Sequence, residues 1–227
     1  MNCIVQYFMA PSGFSQPGFN NLGHSDELFA YSKKSVESYA KKCGADYQMV
    51  TEPRINHRHP TFERFDLFQN DSWWKEYDHI LYLDTDVICW PHAPNIFEMY
   101  PSKEHFKPVE DKLARQRPLE HHKKTSEGSC LVKYSPDLLQ QKRFNAGVFM
   151  LNQKSAEKMS YHIDLNDPSD DNQMLIDIMI KSRVPTQYMD ARFNKKMGVT
   201  SWFGHAFGQN KLVPNNKLIS KCREVFI

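Results

Sequence analysis

The segment from Ile80 to Cys89 constrains the fold of this chain more than any other. Apolar residues from Ile80 to Leu83 run directly into Asp84 and Asp86, and a second apolar run follows. This pattern is typical of a buried strand in an α/β sheet. In extended backbone, residues two apart share one face, so we expect both carboxylates to reach one cation, with Mg²⁺ or Mn²⁺ as the suitable ions. The alternative is an Asp-Thr-Asp turn that binds nothing.

Composition indicates one globular domain over residues 1–227. The net charge of +2 does not call for a nucleic-acid partner. The five cysteines are scattered and include no C-x-x-C pair, which predicts neither disulfides nor a zinc site and fits a reducing, cytoplasmic location. The first ten residues have the pattern of a strand rather than of a signal peptide, and no apolar run is long enough to predict a membrane span.

Hydrophobic periodicity predicts alternating strands and helices, which is the pattern of an α/β fold. The predicted elements are a strand at about 3–9, a helix from Ser25 to Gly44, a strand at 46–51, a short helix carrying Arg64, the acidic strand, a strand from Phe144, a helix opening at Asp170 and a strand at 184–189. Residues 202–211 are predicted to be a loop. Residues from about 101 to 143 are rich in basic residues and predict an irregular or partly helical surface excursion, either plain solvated surface or an acceptor-facing lid.

Two later segments could complete a site with Asp84 and Asp86. His205 offers an imidazole nitrogen as a third metal ligand, Gly208 would let backbone N–H groups approach a phosphate, and Lys211 would neutralise one. In the strand from Phe144, Asn145 offers a donor and an acceptor to hydroxyls, and Gly147 allows close approach of a backbone. If the fold brings these segments together, they would hold a nucleoside diphosphate leaving group.

Three segments carry a family resemblance, in the family's order along the chain. Leu83-Asp84-Thr85-Asp86 resembles the DxD motif of GT-A glycosyltransferases, Phe144-Asn145-Ala146-Gly147-Val148 resembles the FNAGV or FNSGV segment of glycosyltransferase family 8, and His205 to Lys211 is similar to that family's HFxGxxK motif. The resemblance implies a GT-A fold, which is Rossmann-like, with a mixed central sheet flanked by helices. It also implies metal-dependent transfer of a sugar from a nucleotide sugar, with UDP favoured, to a glycan or other hydroxyl acceptor, with retention.

The resemblance further implies roles for individual residues. Asp84, Asp86 and His205 would bind Mn²⁺ or Mg²⁺. The implied donor contacts are Tyr7, Met9 and the following loop for base and ribose, Gly208 and Lys211 for the diphosphate, and Asn145, Ala146 and Gly147 for the sugar, with Arg64 as a basic residue nearby. The family usually has Asp-Gln at the start of the late helix, whereas this chain has Asp171-Asn172-Gln173, so either Asp171 or Gln173 would contact the sugar.

Other interpretations compete with this one. An inverting enzyme would need a general base, for which Asp170, Asp171 and Asp190 are candidates. A haloacid-dehalogenase-type phosphatase would use Asp84 as its nucleophile, but its Asp-x-Asp normally ends the first strand of the fold, and here a β-α-β unit precedes it. A non-catalytic nucleotide-sugar binding module is the third interpretation, against which the intact set of candidate site residues argues.

Overall fold

The computed structural model describes residues 1–8, 26–55, 60–110, 120–125, 128–133, 144–166, 171–196, 201–206 and 216–226. Strands in these ranges are β1 (Asn2–Tyr7), β2 (Asp46–Val50), β3 (His79–Leu83), β4 (Val87–Cys89), β5 (Lys107–Glu110), β6 (Glu120–Thr125), β7 (Gly128–Lys133), β8 (Phe144–Leu151), β9 (Lys195–Lys196) and β10 (Phe203–His205). The α-helices are α1 (Asp26–Cys43), α2 (Asp66–Gln69), α3 (Ile96–Met99), α4 (Gln153–Ser160), α5 (Asp171–Ser182) and α6 (Asn216–Val225), with 3₁₀ helices at Pro60–Phe65, Asp71–Lys75 and Ala191–Asn194.

The central sheet has the strand order β2-β1-β3-β8-β5 and is mixed, as predicted. Strand β1 pairs in parallel with β2 and β3, whereas β8 pairs antiparallel with β3 and β5. The β1-α1-β2 unit is the one that the sequence predicts. Its two strands are parallel because the intervening helix returns the chain to the same end of the sheet. The junction of β3 and β8 brings the end of the third strand beside the start of a strand distant in sequence.

Alternate residues of the central strands face two separate apolar cores. Val5, Ile80 and Tyr82 pack on one side with the aromatic residues of the 3₁₀ helices and α2, whereas Ile4 and Leu81 pack on the other side against α1. This alternation is the period-two pattern of strands buried on both faces, which explains why β3 is apolar from Ile80 to Leu83. Two carboxylates at the end of such a strand are therefore confined to the sheet edge.

The acidic segment differs from the continuous strand that its pattern predicts. Strand β3 ends at Leu83, Asp84 to Asp86 form a turn in which the Val87 amide donates to the Asp84 carbonyl (3.1 Å), and β4 follows. The prediction that extended backbone aligns the two carboxylates is wrong at this point. The segment bends because β4 leaves the central sheet to pair with β10 in a second sheet of order β4-β10-β9.

Other predicted elements also need correction. Residues 184–189 form isolated bridges at Thr186 and Met189 rather than a strand, and Phe203–His205, inside the predicted loop, is strand β10. Within the predicted excursion, Lys107–Glu110 is a largely buried edge strand of the central sheet, and residues 120–133 contain the β6-β7 hairpin rather than helix. The pattern misses β5 because the strand is only four residues long.

No helix in the described part of the chain is long and apolar enough to cross a membrane. The cysteines whose side chains are described (Cys3, Cys43, Cys89 and Cys222) are free thiols.

Candidate active site

Backbone pairing brings Asp84, Asp86 and His205 together. Leu83 pairs with Val148 in the central sheet, and the Asp84 amide then donates to the Gly147 carbonyl (2.8 Å). On the other side, His205 pairs with Val87, and the Ala206 amide donates to the Asp86 carbonyl (3.1 Å). The two sheets thus meet at the turn that carries the carboxylates, and the last residue of β10 lies beside it.

The three side chains form a compact set of metal-ligand atoms. One ligand atom from each residue lies within 4.8 Å of the others, and His205 Nε2 is 3.0 Å from Asp86 Oδ1 and 3.5 Å from Asp84 Oδ2. Two carboxylates and an imidazole suit Mn²⁺, or Mg²⁺ with the carboxylates dominant, and leave coordination positions for phosphate oxygens. The side chain of Asp84 is 21% exposed whereas those of Asp86 and His205 are buried, so solvent reaches the cluster beside Asp84.

Gly147 forms one wall of this cluster. A Cβ atom at residue 147 would lie 2.1 Å from His205 Cε1, 2.7 Å from Asp84 Oδ2 and 2.9 Å from Asn145 Oδ1. Separations below 3.0 Å are essentially never found for real Cβ atoms. The glycine is therefore required for space, and its position supports the assignment of this cluster as a site where groups converge closely.

Charge balance in the cluster depends on His205. Burial acts to lower the pKa of this imidazole, but the adjacent carboxylates of Asp86 and Asp84 outweigh that effect and raise its pKa from 6.5 to about 9. In the metal-free protein the ring is therefore protonated at neutral pH and forms an ion pair with Asp86. A divalent ion would have to displace that proton from Nε2, which is the usual competition at histidine ligands.

Arg64 connects the cluster to the other predicted site residues. Its guanidinium is buried, with Nη2 3.2 Å from Asp84 Oδ1 and 3.0 Å from Asp171 Oδ2, while Nη1 donates to the Ala146 carbonyl (2.8 Å) and Nε to the Thr61 carbonyl (2.8 Å). Burial acts to lower the pKa of Arg64, but the surrounding anionic groups raise it overall, so the cation persists. These bonds fix the start of β8 and the start of α5 relative to Asp84.

Sequence reasoning missed two residues that orient Asp84. The Tyr82 hydroxyl donates to Asp84 Oδ1 (2.5 Å), and Gln6 Nε2 donates to the Asp84 carbonyl (3.1 Å). Because Oδ1 is held by Tyr82 and Arg64, Oδ2 is the oxygen turned toward His205. The sequence contains a signal for each residue: Tyr82 precedes Asp84 by two positions at the end of the apolar run, and Gln6 is a polar residue inside an apolar strand.

The three residues at the start of α5, Asp171, Asn172 and Gln173, make different contacts. Asp171 is paired with Arg64, as described above, whereas Asn172 Oδ1 accepts from the Ala146 amide (2.8 Å). Gln173 is buried, and its amide donates to Asp177 (2.7 Å) within the helix. Asn172, which was assigned no role, therefore holds the backbone beside Gly147.

The other residues predicted to contact the nucleotide sugar do not all lie at the metal cluster. The Tyr7 hydroxyl, at the end of β1, donates to Asp66 Oδ2 (2.9 Å), and that carboxylate also accepts from Arg54 (3.0 Å) and from the Trp73 indole (2.9 Å). Asn145 Oδ1 accepts from the Gly147 amide (2.8 Å), so its side chain lies at the cluster. Met9, Gly208 and Lys211 lie outside the described residues, as does Asp170.

The fold and this site define an α/β transferase of the GT-A type. A glycosyltransferase involved in glycosylation of the major capsid of the virus PBCV-1 superposes with a TM-score of 0.56 at 15% identity, covering 99% of both chains. The galactosyltransferase LgtC superposes with a TM-score of 0.53 at 13% identity, covering 99% of this chain and 96% of LgtC. An inositol-1-phosphate CTP transferase from T. maritima gives a TM-score of 0.53 at 13% identity, covering 100% and 97%. These likenesses establish the fold alone.

The family follows from the sequence. The sequence model of glycosyl transferase family 8 matches residues 26–167, more than half of the chain, and the chain belongs to that family. This confirms the resemblance that its motifs carry and identifies the protein as a glycosyltransferase. A search of curated protein sequences finds no match to this chain.

Proposed function

We propose that the protein transfers a sugar, with retention, from a UDP-sugar to a hydroxyl group of a glycan or similar acceptor. The observation that carries this proposal is the convergence of Asp84, Asp86 and His205 at one point of the sheet edge, walled by Gly147. The donor set fits Mn²⁺ or Mg²⁺, which we propose as the cofactor. A divalent ion bound there would neutralise the charge that develops on a departing diphosphate.

The residues around this point would position the donor. We propose that Asn145 and Asp171 contact the sugar, since both side chains border the cluster, and that Gln173 contributes from the same first turn of α5. All three guanidinium nitrogens of Arg64 are engaged, by ion pairs with Asp84 and Asp171 and by hydrogen bonds to backbone carbonyls. We therefore propose that Arg64 positions these groups and does not react with the substrate.

The base and diphosphate contacts rest on the family motifs. We propose that the end of β1, with Tyr7 and Met9, lies against the base and ribose, because ligands of open α/β sheets bind at the carboxyl ends of the strands. Gly208 and Lys211 would contact the diphosphate, since they follow the metal-binding His205 in the motif and offer a backbone approach and a cation.

The phosphatase and the binding module are the two interpretations that compete with a glycosyltransferase. The phosphatase interpretation requires Asp84 to be an exposed nucleophile, whereas Asp84 Oδ1 is held by Tyr82 and Arg64, and the family match assigns a different chemistry. A binding module would have the same site geometry as the enzyme but would not turn over a nucleotide sugar. Turnover is therefore part of the test.

The test is a thermal-shift screen of nucleoside diphosphates with and without Mn²⁺, followed by assay of UDP release from a panel of UDP-sugars. For a chain of this size, UDP at about 100 times its Kd stabilises the fold by about 2.7 kcal/mol, which raises Tm by roughly 5–10 °C. We expect this shift only with Mn²⁺ present. Asp86→Ala and the isosteric Asp86→Asn should both lose it while unfolding cooperatively.

Asp164→Ala provides a matched control, because Asp164 is an exposed carboxylate that accepts from the Asn166 amide (3.0 Å) and does not belong to the Asp84–Asp86–His205 cluster, so it should keep the full shift. A metal-dependent shift that survives in both Asp86 variants would contradict the assignment of the site. Nucleotide binding without release of UDP from any sugar donor would favour the binding module.

A further inference from the structure

Asn194 contacts the non-coordinating side of the His205 ring. Its Oδ1 lies 2.7 Å from His205 Nδ1, and its Nδ2 donates to the Asn145 carbonyl (3.4 Å). It is the last residue of the 3₁₀ helix Ala191–Asn194 and directly precedes β9. No motif drew attention to this residue, since it lies 11 positions before His205 in an unpatterned segment.

The chemistry of these partners fixes the direction of each hydrogen bond. A backbone carbonyl can only accept, so the amide nitrogen of Asn194 must face Asn145 and its oxygen must face His205. An amide oxygen can also only accept, so His205 Nδ1 must carry a proton. This arrangement leaves Nε2 as the ring nitrogen that faces Asp84 and Asp86 and can ligate an ion.

The position of Asn194 is itself set by the fold. Phe193 is fully buried in the core and packs against Phe203 of β10, with ring centroids 5.0 Å apart. Strand β9 pairs in parallel with β10, and His205 is opposite Lys196. A side chain held in this way can restrain the His205 ring, whereas a ligand on a flexible loop could rotate away from the ion.

We propose that Asn194 is a positioning residue that selects the Nδ1–H tautomer of His205 and aims Nε2 at the metal. The inference rests on the proposed function, because it assumes that Asp84, Asp86 and His205 bind a divalent ion. Hydrogen-bond partners of metal-bound histidines typically change metal affinity by 10–100-fold when they are removed. Asn194 would be such a partner of His205.

The test measures the dissociation constant of Mn²⁺ alone, without nucleotide, from the electron paramagnetic resonance signal of free Mn²⁺. Asn194→Leu removes the acceptor at similar volume and should raise that constant 10–100-fold. Asn194→Asp retains the acceptor and should stay within about threefold of the wild type. Rescue by the carboxylate would separate tautomer selection from simple packing, because Asp and Leu are both unable to donate to the Asn145 carbonyl.

Asn95→Leu is the control, because the side-chain amide of Asn95 also makes two hydrogen bonds. It accepts from the Phe97 amide and donates to Glu98 at the start of helix α3. The Asn95→Leu variant should bind Mn²⁺ as the wild type does. If Asn194→Leu fails to fold, Asn194→Ala replaces it at this half-buried position. Unchanged affinity in the Leu variant, or an Asp variant as weak as the Leu variant, would overturn the role of Asn194 alone. A wild-type protein that binds no Mn²⁺ would overturn both this role and the proposed metal-dependent function.

Discussion

Gly147→Ala should strongly weaken Mn²⁺ binding and reduce stability. The added methyl group would lie 2.1 Å from the His205 ring and 2.7 Å from Asp84 Oδ2, so at least one ligand must move. Neither can move freely, because His205 is buried and bonded to Asn194, and Asp84 is held by Tyr82 and Arg64. We expect Mn²⁺ affinity to fall by about 100-fold or more, and stability to fall by about 1–3 kcal/mol, the usual range for overpacking.

Gly44→Ala is the matched control for this substitution. Gly44 directly follows α1 with a φ of +61°, and no atom of the described residues lies within 4 Å of a Cβ built there. Alanine at residue 44 should therefore cost about 1 kcal/mol in backbone strain and leave Mn²⁺ binding unchanged. Calorimetric titration with Mn²⁺ and urea unfolding measure the two quantities. Wild-type Mn²⁺ affinity in Gly147→Ala would show that this position is not part of the metal site.

Arg64→Met should destabilise the fold by about 3–5 kcal/mol, the range for removing one partner of a buried ion pair. The guanidinium is 3% exposed and pairs with both Asp84 and Asp171. Methionine fills similar space but removes the buried positive charge that both carboxylates share. We also expect weaker nucleotide binding, because the backbone of Ala146 and the start of α5 lose their common anchor.

The control is Arg223→Met, since Arg223 forms an exposed pair with Glu27 (2.8 Å), and exposed pairs contribute about 0–1 kcal/mol. Adding Asp171→Asn to Arg64→Met removes one of the two carboxylates that have lost the guanidinium, and should recover part of the lost stability. Urea unfolding of the wild type and of these three variants measures these differences. Equal losses in Arg64→Met and Arg223→Met would contradict the network.

The fold was predictable where periodicity is strong and long. The β1-α1-β2 unit and the apolar runs of β3 and β8 follow from patterns of two and 3.6 residues. The short strands β4, β5, β9 and β10 were not predictable in the same way, because two to four residues carry no period. Their pairing depends on partners far along the chain, and that pairing also turned the expected extended acidic segment into a turn.

The site was predictable at the level of which side chains meet, and less so in how they are held. The i, i+2 carboxylates and the distant histidine predict a metal cluster, and in the structure these three side chains lie together beside Arg64 and Asp171. The convergence does not arise from one extended strand, however, but from the junction of two sheets. Asn172 and Asn194 could not be identified in advance, because an isolated asparagine gains its meaning from a partner that only the tertiary structure brings near.

The most direct test of the metal site is anomalous scattering from crystals of the protein grown with Mn²⁺ and UDP. We predict a single strong anomalous peak per chain within coordination distance of Asp84, Asp86 and His205 Nε2, with diphosphate oxygens completing the coordination. UDP bound without an anomalous peak at this cluster, or a peak held by other residues, would contradict the account.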